Sequence, residues 1–186
     1  MGLTAPRWAA ATLVASALAA VGLTACATEP TAALPPLTAP AATDDPAAAQ
    51  AADAALAAYE GYLAVAEDAE HEADPHHPDL KKYLADPLLT QVRLGIRDAK
   101  ERGAMRTGSL ISDPTVTEVN LDSVPVTVVI QDCLDAKNYR MVYADDTDKV
   151  VPGTEVGRYL ATATATRYDD GRWLISSGVA HPDQPC

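Results

Sequence analysis

The sequence predicts an α+β fold, three N-terminal helices packed on an antiparallel sheet of about five strands, and three observations carry it. From residue 44 to Gly103 apolar side chains recur at three- and four-residue spacing; beyond Ala104 they alternate, and Thr, Val and Tyr become common. Asp170-Gly171, between Tyr168 and Trp173, is a two-residue hairpin turn in which glycine accepts positive φ. Helices grouped before the strands must cover one face of the sheet.

Asp44-Asp45-Pro46 opens the first helix, because an Asp N-cap followed by Pro in the first helical position supplies both a side-chain acceptor and a preset φ. Ala52, Leu56, Tyr59, Leu63 and Ala66 follow on one stripe, widened by Tyr62, while Asp53, Glu60, Glu67 and Asp68 stay off it, so the helix runs to about Glu70. A shorter helix over Pro78–Ala85 turns Leu80 and Leu84 inward. Asp86-Pro87 repeats the start signal, and a third helix carries Leu88, Leu89, Val92, Ile96 and Ala99 on its inner face. Arg97, Lys100 and Arg102 near its end suit the helix dipole, and Gly103 stops it. Expected strands are Thr115–Leu121, an alternating run from Val124 to Gln131, Tyr139–Tyr143, Arg158–Tyr168 and Arg172–Val179, with Asp145–Gly153 as a loop.

The chain has 186 residues, enough for one domain with appendages. Lys and Arg number 14 against 26 Asp and Glu, a net charge of −12, with no basic block beyond Lys81-Lys82. That field repels a phosphate backbone, so nucleic acid is excluded as a partner. Residues 1–25 read as a signal peptide: Arg7 precedes an uncharged stretch from Trp8 that includes the apolar run Leu13–Val21. The segment ends in Leu23-Thr24-Ala25-Cys26, which resembles the lipobox of bacterial lipoproteins. The resemblance implies a diacylglycerol thioether on Cys26 and cleavage before it, leaving the protein on the outer face of the cell membrane. Two acyl chains suffice for stable anchoring. The alternative is an ordinary cleavage site after Ala25. Residues 26–43, rich in Ala, Thr and Pro, then form a PPII-leaning tether of at most about 60 Å, and 44–186 form the folded domain.

With Cys26 lipidated, Cys133 and Cys186 remain, and in an oxidising compartment they make a plausible pair; two free thiols are the competing reading.

Over about residues 44–186 the order of elements resembles the NTF2-like (SnoaL-like, cystatin-type α+β) superfamily, and more narrowly a family of secreted actinobacterial lipoproteins of unknown function. The matching features are the lipobox, the Tyr59–Tyr62 helix, Tyr83-Leu84 before Asp86-Pro87, Asp132-Cys133-Leu134-Asp135, Gly171-Arg172-Trp173 and the terminal Cys186. The resemblance implies a curved sheet wrapped on the long helix as a cone, with a cavity open at one end. Tyr59, Tyr62, Tyr159, Ala161, Ala163 and Trp173 are the residues expected to line it.

No catalytic constellation and no cofactor motif stands out. His71, His76 and His77 lie among Glu72, Asp74 and Asp79, a set zinc or copper could use, but two prolines and irregular spacing leave a solvated loop as the expected role. Asp145-Asp146-Thr147-Asp148 lacks the Gly and Glu of a calcium loop. Tyr59, Tyr62, Tyr139, Tyr143 and Tyr159 are potential donors and Asp132 a potential carboxylate for isomerase-like chemistry, although tyrosines at such spacing commonly serve as core. No Gly-x-Ser-x-Gly occurs. The expected function is a non-catalytic module at the cell surface that binds a small apolar ligand or an envelope protein. The alternatives are a SnoaL- or ketosteroid-isomerase-type enzyme, and an accessory subunit that homodimerises through its sheet.

Overall fold

The computed structural model describes residues 45–186, so the lipobox Leu23–Cys26 and the tether lie outside the described residues. Three helices, α1 (Pro46–His71), α2 (Leu80–Tyr83) and α3 (Leu88–Glu101), precede seven strands. The strands are β1 (Ala104–Thr107), β2 (Pro114–Asn120), β3 (Thr127–Asp135), β4 (Arg140–Tyr143), β5 (Asp146–Val150), β6 (Arg158–Arg167) and β7 (Trp173–His181). They form two antiparallel sheets, β2-β3-β6-β7 and β1-β4-β5, which corrects the expectation of a single sheet of about five strands.

The reason lies in two strands that alternation cannot reveal. β1 has four residues, too few for a period of two to register. β5 occupies the stretch expected to be a loop, and four of its five residues are exposed, because an edge strand in a small sheet needs no buried face.

α1 begins as its cap dictates, with Asp45 Oδ1 accepting from the Ala47 N–H at 2.8 Å. Its buried line is Ala48, Ala51, Ala55, Ala58, Tyr59, Val65 and Ala69. The helix is therefore rotated from the expected stripe: Ala52, Leu56, Tyr62, Leu63 and Ala66 are only half-buried. Alanine allows the helix backbone to approach the sheet closely, and the larger side chains lie along the flanks of that contact. α2 is shorter than the expected Pro78–Ala85, and Leu80 and Leu84 are both buried. At the start of α3, Asp86 Oδ1 accepts from the Thr90 N–H at 3.2 Å and from its hydroxyl at 2.6 Å.

The centre of the larger sheet is the β3–β6 pair, in register from Thr127↔Thr166 to Asp135↔Arg158. Alternation places Val128, Ile130, Asp132 and Leu134 on one buried face, opposite Ala165, Ala163, Ala161 and Tyr159. α1 packs over this face, and α3 packs on β7 and β1. At the β6–β7 turn, Gly171 has φ +83°, the positive value the hairpin requires.

Gly61 makes room on α1 for Tyr83 of α2: a Cβ there would lie 2.2 Å from Cε1 of the Tyr83 ring. Alanine gains about 1 kcal/mol of helix propensity over glycine. Displacing a packed ring typically costs about 1–3 kcal/mol. Gly61→Ala is therefore expected to be net destabilising by about 1 kcal/mol in urea unfolding, and a stabilised variant would show that the ring moves freely.

Candidate functional site

Asp132 is 2% exposed, in the middle of β3 rather than at a strand end. Its Oδ2 accepts from the Tyr59 hydroxyl at 3.1 Å and the Ser112 hydroxyl at 2.6 Å, and its Oδ1 from the Asp113 N–H at 2.8 Å. Helix α1, strand β3 and the segment before β2 are thus tied at one carboxylate. Burial first, and the adjacent Asp132 charge second, push the Tyr59 phenol far above its ordinary pKa, so it stays a donor.

Beside this tie, between α1 and the strands, is a cavity of about 280 Å³. Tyr59, Tyr62, Tyr159, Ala161 and Ala163 all line it. Trp173 does not: it lines a separate depression of about 340 Å³ with Ala47, Ala51 and Leu121, near the start of α1. The expectation for Trp173 is corrected by the length of β6, because the β6–β7 hairpin holds the indole at the far end of the strand from Tyr159 and Ala161. Ala165, continuing the small-residue face of β6, is fully buried in the core, so only Ala161 and Ala163 leave open space.

Among the wall residues that sequence reasoning missed is a charged pair, Glu70 and Arg106. Arg106 Nε lies 3.2 Å from Glu70 Oε2, which also accepts from the Tyr139 hydroxyl. The guanidinium sits 5.0 Å over the Tyr139 ring. Glu70 follows Leu63 by seven residues and Ala66 by four, so helical spacing already placed it on the cavity side. Arg106 gave no signal, because β1 itself gave none.

Burial raises the Glu70 carboxyl above its ordinary value of 4.5, outweighing the lowering by Tyr139 and Arg106. A raised carboxyl holds its proton more tightly in the folded chain than in the unfolded one. Its contribution to stability is full below about pH 4.5 and is lost as pH climbs through the higher folded value. Urea midpoints of Glu70→Gln are therefore expected to fall less than those of the parent over that rise, and parallel pH profiles would refute this. Burial also pushes the Tyr62 phenol up to about 12 and raises that of Tyr159.

The histidine segment forms a turn, with the His76 N–H donating to Asp74 Oδ1 at 2.8 Å. Among the described residues no group of three His, Cys, Asp or Glu side chains is arranged to hold a metal ion. Tyr143 pairs with Asp146 across the β4–β5 turn, away from the cavity wall. Cys133 and Cys186 are joined by a disulfide, which fits an oxidising, extracytoplasmic environment. No described helix is long and apolar enough to cross a membrane.

The described chain is thus an α+β domain with two antiparallel sheets, a disulfide and a tyrosine-lined cavity under its long helix. No family model matches it, and no curated protein matches it. Among solved structures it is similar to the crystal structure of the intermembrane space region of chloroplast protein ARC6, with 13% identity, 69% of this chain and 95% of that chain covered, and a TM-score of 0.46.

Proposed function

We propose that this chain is a lipid-anchored extracytoplasmic protein whose NTF2-like domain binds a small, largely apolar ligand in the cavity beneath α1. The observation that carries the reading is the cavity itself: about 280 Å³, with Leu63, Ala66, Leu134, Ala161 and Ala163 as apolar wall and a few phenols as polar points. The disulfide supports export. Anchoring rests on the Leu23–Cys26 lipobox.

The carboxylate an isomerase would use opposite a tyrosine is Asp132, and it is engaged by three donors from the protein's own chain. A carboxylate so engaged serves as a structural tie between α1, β3 and the segment before β2. One observation favours the enzyme reading instead: Glu70, raised by burial, stands at the cavity wall.

The test is mass spectrometry of the mature protein from its native cell. The denatured chain is expected to begin at a diacylglyceryl-modified Cys26; an unmodified sulfur or an intact initiator end overturns the anchor. Under native conditions, after the acyl chains are removed, a retained small molecule is expected and should be lost in Ala163→Leu, with circular dichroism confirming the fold. Bare chain mass, or two copies of the chain with nothing bound, overturns the ligand reading; the dimer would favour the accessory-subunit alternative.

A further inference from the structure

We propose that the cavity selects an uncharged molecule of one or two rings bearing a carbonyl or ring-oxygen acceptor, held by the Tyr62 and Tyr159 hydroxyls. This rests on the ligand reading above and adds the chemistry of the occupant.

Size comes first. The cavity of about 280 Å³ is roughly twice the ~150 Å³ in which an engineered apolar cavity holds benzene. It falls just below the range of drug-sized pockets, about 300–1,000 Å³. One ring with substituents, or two fused rings, fills it.

Charge comes second. Among the described residues, the ionisable acid and base lining the cavity are Glu70 and Arg106 alone, and they pair with each other at 3.2 Å. An ionic ligand of either sign would leave an uncompensated charge in a partly buried space, which is costly. An anion would in addition meet the field of a chain carrying −12. A neutral ligand leaves the pair balanced.

Hydrogen bonding comes third. Asp132 takes Tyr59, Ser112 and the Asp113 N–H, and Glu70 takes Tyr139 and Arg106. Neither Tyr62 nor Tyr159 is among those partners, although both line the same cavity. Their raised phenols keep their protons at ordinary pH and so remain donors. A hydrocarbon that displaced water from them would leave two O–H groups without acceptors, whereas a carbonyl or ring oxygen satisfies them.

The experiment is a chemical-shift titration of the Ala161 and Ala163 methyls in the mature, disulfide-bonded protein. The probes are coumarin, the similarly sized hydrocarbon naphthalene, the anion 2-naphthoate and the cation 2-naphthylmethylammonium. Coumarin is expected to bind about tenfold more tightly than naphthalene, the worth of one or two net hydrogen bonds. In Tyr62→Phe/Tyr159→Phe that preference should vanish while naphthalene binding is kept, a control that also reports an intact cavity. Equal binding of coumarin and naphthalene, or tighter binding of either ion, overturns the chemical class and leaves the ligand reading standing. No shift of either methyl with any probe overturns both.

Discussion

Asp132→Ala is expected to lose about 3–4 kcal/mol of unfolding free energy. The magnitude follows from three donors left facing a vacated acceptor: the Tyr59 phenol, the Ser112 hydroxyl and the Asp113 amide. Each unsatisfied buried partner costs about 1–3 kcal/mol, with the cost falling mainly on Tyr59, since Ser112 is half-buried and the exposed Asp113 can turn its amide to water. Tyr59→Phe removes only one bond and leaves Asp132 two donors, so it should cost about 1 kcal/mol. Urea unfolding of the two variants measures the difference. A D132A variant within 1 kcal/mol or so of the parent would mean that water replaces the carboxylate at no cost.

Loss of the Cys133–Cys186 disulfide is the second large effect. The linked residues are 53 apart, and closing a loop of that length stabilises by about 4 kcal/mol through the unfolded chain's entropy. The bond also fixes the tail beyond β7, whose Gln184 carbonyl accepts from the Leu160 N–H at 2.9 Å. Cys186→Ser is expected to lower the unfolding free energy by about 2–4 kcal/mol and to speed amide exchange at Leu160. Dithiothreitol should do the same to the parent and nothing to the variant. An unchanged urea midpoint in reductant would contradict the whole account of the bond.

Both effects bear on how far the fold was readable beforehand. The Asp45-Pro46 start of α1 and the Asp170-Gly171 hairpin were legible because each depends on side-chain chemistry acting within a few residues. The rotation of α1 was not. Counting large apolar residues favoured Leu56 and Leu63, whereas the sheet admitted the alanines and left the leucines on the flanks. Polarity hid β5 in the same way, and brevity hid β1 and with it Arg106.

In the site, Tyr59, Tyr62, Tyr159, Ala161 and Ala163 converge on one cavity. The pairing of Tyr59 with Asp132 spans 73 residues, and no local pattern specifies a bond of that range. Glu70 could have been found by extending the helical stripe one turn past Ala66. Trp173 was misplaced because a hairpin fixes which strands are neighbours but not which end of the strand meets the helix's hollow side.

The outer rim of the small sheet bears on life in a crowd. β5 leaves one row of backbone amides and carbonyls unpaired, yet Asp146, Asp148 and Lys149 stand exposed along it. Two copies brought rim to rim in register would set carboxylate against carboxylate before any zipper of peptide bonds could form. Where many copies crowd together, that largely acidic fringe disfavours pairing edge to edge.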